Sequence, residues 1–207
     1  MHDWSHPLSR CYMIPRIIHQ IWTNANDTPP PAIIAELCDT WRENHPGCEH
    51  RMWNRISLEQ FIAEHHPQAL PLLQGYPYDI QRIDVLKYFI LHHYGGVYVD
   101  VDVENIKSVF KLFREHDCYL SYDDDTTSII GNCFIACQPG STFMAWVLSQ
   151  LETAASSTAA ESDKMNTVLR STGPIFMTQS YHAFADKDRV KVLPCRHVSP
   201  LVASESR

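Results

Sequence analysis

No apolar run in this chain is long enough to span a bilayer, and its opening residues, MHDWSHPLSRCYM, contain no signal-peptide core. A membrane-spanning helix and a cleaved leader are therefore not expected from these residues. There is no basic run either: Lys and Arg number 17 against 24 Asp and Glu, a formal net charge of −7. That balance argues against nucleic acid or an anionic membrane as the main partner. The seven cysteines (Cys11, Cys38, Cys48, Cys118, Cys133, Cys137 and Cys195) form no CxxC pair, which removes the usual zinc spacing. Their odd count and scatter favour reduced thiols over disulfides and a cytoplasmic location. No internal repeat is present. Twelve histidines are many, yet His65-His66 and His92-His93 lie on helical runs and not at zinc-protease spacing, and most of the twelve read as solvated surface residues.

What remains is an ordinary globular composition. At 44% apolar over 207 residues the chain can bury one sizeable core, and a single domain over 1–207 is expected. Residues 1–13 read as an N-terminal arm. The small polar run TAASSTAAESD, 153–163, reads as a flexible connection. Strand and helix patterns alternate. Ile17 to Trp22 reads as a buried strand, Ala32 to Glu43 as a helix with Ile33, Ile34, Leu37 and Trp41 on its apolar side, and His50 to Trp53 as a second strand. Ser57 opens a capping-box helix to about His65. Later strands are expected at Cys118 to Tyr122, Asn132 to Cys137 and Val190 to Leu193. Helices are expected from Ser141 to about Leu151 and from Lys164 to Arg170, the latter leading to a Gly173-Pro174 turn. Such alternation predicts an α/β fold with a mostly parallel central sheet flanked by helices. Ligands then gather beyond the carboxyl ends of the strands.

The stretch from Asp79 to Asn105, DIQRIDVLKYFILHHYGGVYVDVDVEN, concentrates the chemistry. Ile80, Ile83, Leu86, Ile90, Leu91 and Tyr94 give a helix one apolar side, and Gly95 supplies its cap. Asp84 and Lys87 sit at i, i+3 and project together. After Gly95-Gly96, Val97, Val99, Val101 and Val103 alternate with Tyr98, Asp100 and Asp102. Val97 to Val103 therefore reads as a strand on which Asp100 and Asp102 share a face, roughly 7 Å apart. Two carboxylates so placed suit a hydrated Mg²⁺ or Mn²⁺ and the polyphosphate it carries. Asp-x-Asp is also a common solvated strand end, and Asp84–Lys87 is equally an ordinary surface ion pair. The aspartate run 123–125 reads as a solvated turn, with Asn132 or one of these aspartates as alternatives for facing a sugar or an acceptor.

The blocks IPRIIHQIW (Ile14 to Trp22), NHPGCEHRMWN (Asn44 to Asn54) and IDVLKYFILHHYGGVYVDVDV (Ile83 to Val103) resemble glycosyltransferases of the family 32 type. That group has a sugar-binding region containing a DXD motif. It includes initiating α-1,6-mannosyltransferases and inositol-phosphoceramide mannosyltransferases. Weaker likenesses are NCFIACQPGSTF from Asn132 and TGPIFMTQ from Thr172. The resemblance implies a GT-A fold, a nucleotide-diphosphate sugar as donor, Mn²⁺ or Mg²⁺ as cofactor, and transfer of a hexose with retention of configuration. It implies a glycan, lipid or protein acceptor. It places Trp22, beside Ile21, against the nucleotide base, and Asp84 on the donor sugar's hydroxyls. Asp100 and Asp102 become the metal and ribose carboxylates, with Asp102 the direct metal ligand.

Two departures from the family pattern stand out. Lys87 occupies the place of an arginine, which keeps the positive charge but loses the planar fork. A late His-x-x-x-Ser-Trp-like block is missing; it is absent, partly replaced by His197, or beyond the end of this chain. The anchored fungal relatives make a luminal Golgi domain the alternative location. Thr172-Gly173-Pro174 is either a wall of the acceptor side or an ordinary turn. A degenerate fold that binds nucleotide sugar without turnover, and a metal-dependent phosphohydrolase, are the competing functions.

Overall fold

The computed structural model of the chain describes residues 13–24, 26–124, 126–158 and 162–198. Nearly all of the expected N-terminal arm, Asp125 and part of the expected flexible connection lie outside the described residues. The described residues build one six-stranded mixed sheet in the order β2-β1-β3-β5-β4-β6. Strand β1 (Ile17–Ile21) lies parallel to β2 (Glu49–Trp53) and to β3 (Gly96–Val99). Helix α1 (Ala32–Asn44) connects β1 to β2. Helices α2 (Arg55–His65), α3 (Leu70–Gly75) and α4 (Asp79–Tyr94) connect β2 to β3. Parallel neighbours require such long crossovers. Strands β4 (Cys118–Tyr122) and β5 (Ile130–Cys137) are joined by a short turn and run antiparallel, and β5 is also antiparallel to β3. Helices α5 (Thr142–Thr158), α6 (Lys164–Ser171) and α7 (Pro174–Ala183) then return the chain to β6 (Val190–Leu193), parallel to β4.

The strand alternation divides the core between the two sheet faces. Val97, Val99, Phe134 and Ala136 pack with Trp41 of α1. Tyr98, Ile135 and Leu120 pack with α4 and α5, through Val85, Tyr88, Phe143 and Met144. Both faces are covered, so β1 is buried along nearly its whole length despite its polar His19 and Gln20.

Several local expectations are corrected. Helix α2 starts at Arg55, because Asn54 is the cap: its side chain accepts from the Ser57 N–H, and the Ser57 hydroxyl accepts from the Asn54 N–H. Ser57 is therefore the third helical residue of that capping box. Ile33 on α1 and Ile80 on α4 face solvent at 62% and 44% exposure. Helix α1 buries Trp41 as expected, together with Cys38, and leaves Ile34 and Leu37 half-buried. Residues Thr153 to Thr158 are the last turns of α5 and not a flexible connection. Ala154 and Ala155 pack on the core there, and the Ser156, Ser157 and Thr158 hydroxyls donate to carbonyls one turn back. Helices α3 and α7 were not anticipated; Pro174 opens α7 as its first residue, where the missing N–H costs nothing.

Candidate active site

The site is built where α4 turns into β3. Gly95 and Gly96 make that junction with φ of +63° and +92°. A Cβ on Gly96 would meet the Ile17 carbonyl oxygen at 2.6 Å, and one on Gly95 would meet Pro139 at 2.6 Å. Only glycine fits either place. The tight junction sets α4 directly against β3 and β5, and its buried side chains there include polar ones.

Asp84 and Lys87 form an ion pair, Nζ to Oδ1 at 2.7 Å, with side chains 6% and 2% exposed. The sequence spacing foresaw the pair but not its burial. Asn132 of β5 donates from Nδ2 to the same Oδ1 at 3.0 Å, and the Thr172 hydroxyl donates to Oδ2 at 3.0 Å. Burial pushes the Asp84 carboxyl up, opposed by the Lys87 ammonium and by the hydrogen bond from Thr172. Burial pulls the Lys87 ammonium down, but the Asp84 and Asp100 carboxylates more than offset it, and its pKa ends above the ordinary lysine value. With three donors converging on the carboxylate, the pair is a lysinium and an aspartate.

Lys87 lies 5.0 Å from the centre of the Tyr98 ring and 5.9 Å from that of Tyr88. The Tyr98 hydroxyl donates to Asp100 Oδ1 at 2.7 Å. Asp84, Lys87, Tyr98 and Asp100 are thus one connected group at the carboxyl end of β3.

The strand itself is shorter than its alternation suggested. It ends at Val99; the Asp100 N–H donates to the Cys133 carbonyl at 2.9 Å, and the Val103 N–H then donates to the Asp100 carbonyl, closing a turn. Helix α1 takes the next carbonyls: Cys38 Sγ donates to Val101, and Trp41 Nε1 donates to Val103 at 2.7 Å. Asp100 and Asp102 therefore stand at a strand end and in the following turn, not on one strand face. Asp100 is half-buried and Asp102 exposed. Among the described residues no three His, Cys, Asp or Glu side chains converge as a metal cluster.

Trp22 follows the adjacent parallel strand β1, with Ile21 buried in the core behind it. The indole N–H donates to the Thr28 carbonyl at 3.0 Å, and Asn24 closes the same loop by accepting from the Thr28 N–H. Arg55 pins the loop to α2 through Asp27 at 2.6 Å. Beside it a groove of about 660 Å³ opens between α2, α3 and α4, lined by Thr23, Asn24, Arg55, Leu58, Ile83 and Leu86 among others. Asp84, Asp100 and Asp102 do not line it. Arg82, on another side of α4, holds the turn before the helix by donating to the Leu73 and Tyr76 carbonyls. His197 is exposed on a short turn after β6, at the sheet edge. Asp123 and Asp124 form the β4–β5 turn, where Asp124 accepts from the Thr126 N–H.

Tyr88 and Tyr98 belong to this group and are not among the expected site residues, and Thr172 joins it from a turn expected to face an acceptor or to be an ordinary turn. Tyr98 was legible, since alternation puts it on the side of Asp100. Thr172 was not; it lies 88 residues from Asp84. Thr172 and Gly173 are buried and Pro174 is half-buried, so in this turn it is Pro174 that reaches the surface.

The family profile described as "Glycosyltransferase sugar-binding region containing DXD motif" matches residues 31–127, which include Asp84, Lys87, Asp100 and Asp102. The chain is 30% identical over 188 residues to inositol phosphoceramide mannosyltransferase 1 of Schizosaccharomyces pombe, across 87% of this chain and 56% of that protein. It is 33% identical over 172 residues to inositol phosphoceramide mannosyltransferase 3 of the same yeast, across 83% and 46%. The chain thus spans about half the length of these curated relatives. Among solved structures, the PaToxG glycosyltransferase superposes with a TM-score of 0.62 at 15% identity, covering 84% of this chain and 70% of that one. The UDP-bound glycosyltransferase domain of the YGT toxin gives 0.58 at 12%, covering 93% and 82%. At such identities the likeness carries the fold, which is of the GT-A type.

Proposed function

The chain carries a domain of the glycosyltransferase family whose sugar-binding region contains the DXD motif, and from that premise we propose that it transfers a hexose from a nucleotide-diphosphate sugar with retention of configuration. Mannose is the first choice of sugar, and an inositol-phosphoceramide type of lipid the first choice of acceptor, because relatives of those names cover most of the chain. The observation that carries the reading is the buried Asp84–Lys87 pair joined through Tyr98 to Asp100 at the carboxyl end of β3.

Each residue has a part that follows from its surroundings. A carboxylate has about four lone-pair sites. Lys87, Asn132 and Thr172 fill three on Asp84, leaving one on Oδ2 for a sugar hydroxyl. Trp22 offers its indole to the nucleotide base, and the adjoining groove receives the nucleoside. Lys87 is too deeply covered for a direct grip on the diphosphate. It contributes positive potential beneath Asp100 as negative charge develops on the leaving group. Asp100 and Asp102, oxygen donors at an open turn with no third side chain converging among the described residues, fit a hard Mn²⁺ or Mg²⁺ completed by water and phosphate oxygens. When bound, such an ion supplies Lewis-acid stabilisation of the leaving diphosphate. No general base is assigned, because the departing phosphate can itself take the acceptor's proton.

A panel of nucleotide sugars with Mn²⁺, scored for binding, nucleotide release and transfer to inositol-phosphoceramide lipid, tests the reading. Acceptor-dependent, EDTA-sensitive release is the expected result. Tight donor binding without transfer to any acceptor would replace it with a non-catalytic nucleotide-sugar binder, the alternative motivated by lysine at position 87.

A further inference from the structure

We propose that Thr172, at the junction of α6 and α7, is a positioning residue for the transfer reaction, acting through Asp84 on the Lys87 ammonium. The inference rests on the proposed transfer but concerns a residue outside the 31–127 family match.

Thr172 is fully buried and is held at two points against α4. Its hydroxyl donates to Asp84 Oδ2 at 3.0 Å, and its carbonyl accepts from the Tyr88 hydroxyl at 2.5 Å. The residues around it fix its backbone. Its N–H and that of Gly173 both donate to the Val168 carbonyl, which ends α6. A Cβ on Gly173 would crowd Leu169 Cα and the Val168 oxygen at 3.1 Å. Pro174 then starts α7, whose packing on β5 and α5 anchors the junction in the core. The preceding residue, Ser171, accepts from Gln81 Nε2 at 2.6 Å, one turn before Asp84 on α4, so the end of α6 is zipped to two successive turns of α4.

The consequence lies in which oxygen is held. Lys87 and Asn132 both approach Oδ1, and neither bonds to Oδ2, which the Thr172 hydroxyl holds. Without the Thr172 hydroxyl only the two donors on Oδ1 oppose rotation of the carboxylate about its last bond, and the geometry of the 2.7 Å contact to Lys87 loosens. A hydroxyl bonded to the charged form also favours that form. The other charged and titratable groups facing Asp84 are Lys87 and Tyr88 on its own helix, Tyr98 of β3, Asp100 just beyond it, and Tyr76 before α4. None of these tyrosines donates to Oδ2. Thr172 is therefore the residue that sets the orientation of the pair.

The test uses Thr172→Val, which keeps shape and removes the O–H, and Thr172→Ser, which keeps the O–H. Two readouts are taken on the whole chain. The first is the ¹⁵N-resolved ammonium signal of Lys87 at neutral pH, slow to exchange in the wild type because the group is buried. The second is the steady-state rate of nucleotide-sugar turnover. Thr172→Val should lose the ammonium signal and lower kcat by roughly tenfold, with donor KM changed less than about threefold. Thr172→Ser should restore both to within about twofold. Asn132→Ala, which leaves Oδ2 held, should retain the ammonium signal. If Thr172→Val keeps signal and kcat, or loses the signal with kcat unchanged, the assignment is overturned. If the wild type turns over no nucleotide sugar, the transfer reading fails, while the ammonium signal still decides whether Thr172 orients the pair.

Discussion

At the scale of single residues, the charges here do two different jobs in two different solvents. Asp102 is exposed in a turn, so Asp102→Asn removes a charge that the fold does not need. Donor turnover should fall by roughly a hundredfold or more while the melting temperature stays within about 2 °C. Calorimetry beside a nucleotide-release assay checks it, and retained turnover would dismiss the metal assignment. Lys87 is the opposite case. Its removal leaves Asp84 charged and buried, with one donor fewer. Lys87→Met should therefore cost about 3–5 kcal/mol in urea unfolding. Adding Asp84→Asn to that variant should recover part of the loss, since the amide carries no unpaired charge. An unaltered unfolding midpoint for Lys87→Met would show that the pair is not buried in solution.

At the scale of elements, the α4–β3 junction is where sequence and geometry are most tightly bound. Gly96 has no room for a methyl group, because β1 approaches it through the Ile17 carbonyl and because its φ is +92°. Gly96→Ala should destabilise the protein by at least about 2 kcal/mol. It should also disturb Asp100, four residues on. Chemical denaturation of the variant measures the first effect; a loss below about 0.5 kcal/mol would mean that β1 yields easily there. His19 seals the same junction from β1. Its Nε2–H donates to the Gly95 carbonyl at 3.0 Å, and its Nδ1 accepts from Trp53 Nε1 at 3.1 Å. A proton on Nδ1 would set two donors face to face, in a site with almost no solvent.

At the scale of the whole molecule, buried histidines predict acid sensitivity. Burial lowers His19 from the ordinary histidine value of about 6.5 to about 4. Above pH 6.5 the ring is neutral in both folded and unfolded chains, and its contribution to stability is intact. Between 6.5 and about 4 the unfolded chain binds a proton that the folded chain refuses, so stability falls as pH drops. The loss approaches about 3 kcal/mol for this one group. Burial also lowers His45, His50, His66, His92 and His93, and their effects have the same sign. Urea unfolding from pH 7.5 to 4.5 should show this slope, and His19→Gln should remove up to one proton of it. Equal slopes for the variant and the wild type would contradict the assignment. The expectation that most histidines are solvated fails in this region: His19 and His45 are buried, and His65, His66 and His93 cluster around Phe61.

The elements and their order were legible wherever the deciding forces are local. Periodicity placed β1, β2, α4 and α6 within a residue or two, and the i, i+3 spacing paired Asp84 with Lys87. The family blocks pointed to the fold that the sheet adopts. Local pattern failed where a distant segment competes for the same backbone. Alternation ran β3 on to Val103, but Cys38 and Trp41 of α1 take the carbonyls of Val101 and Val103 and end the strand early. Polar composition suggested a loose segment at 153–158, but packing of Ala154 and Ala155 keeps it helical. The surroundings of Asp84 were also decided only in three dimensions. A hydroxyl 88 residues away and an amide 48 residues away complete its hydrogen bonds. No local window contains either partner, because burial and hydrogen bonding of a charge depend on what the chain brings back to it.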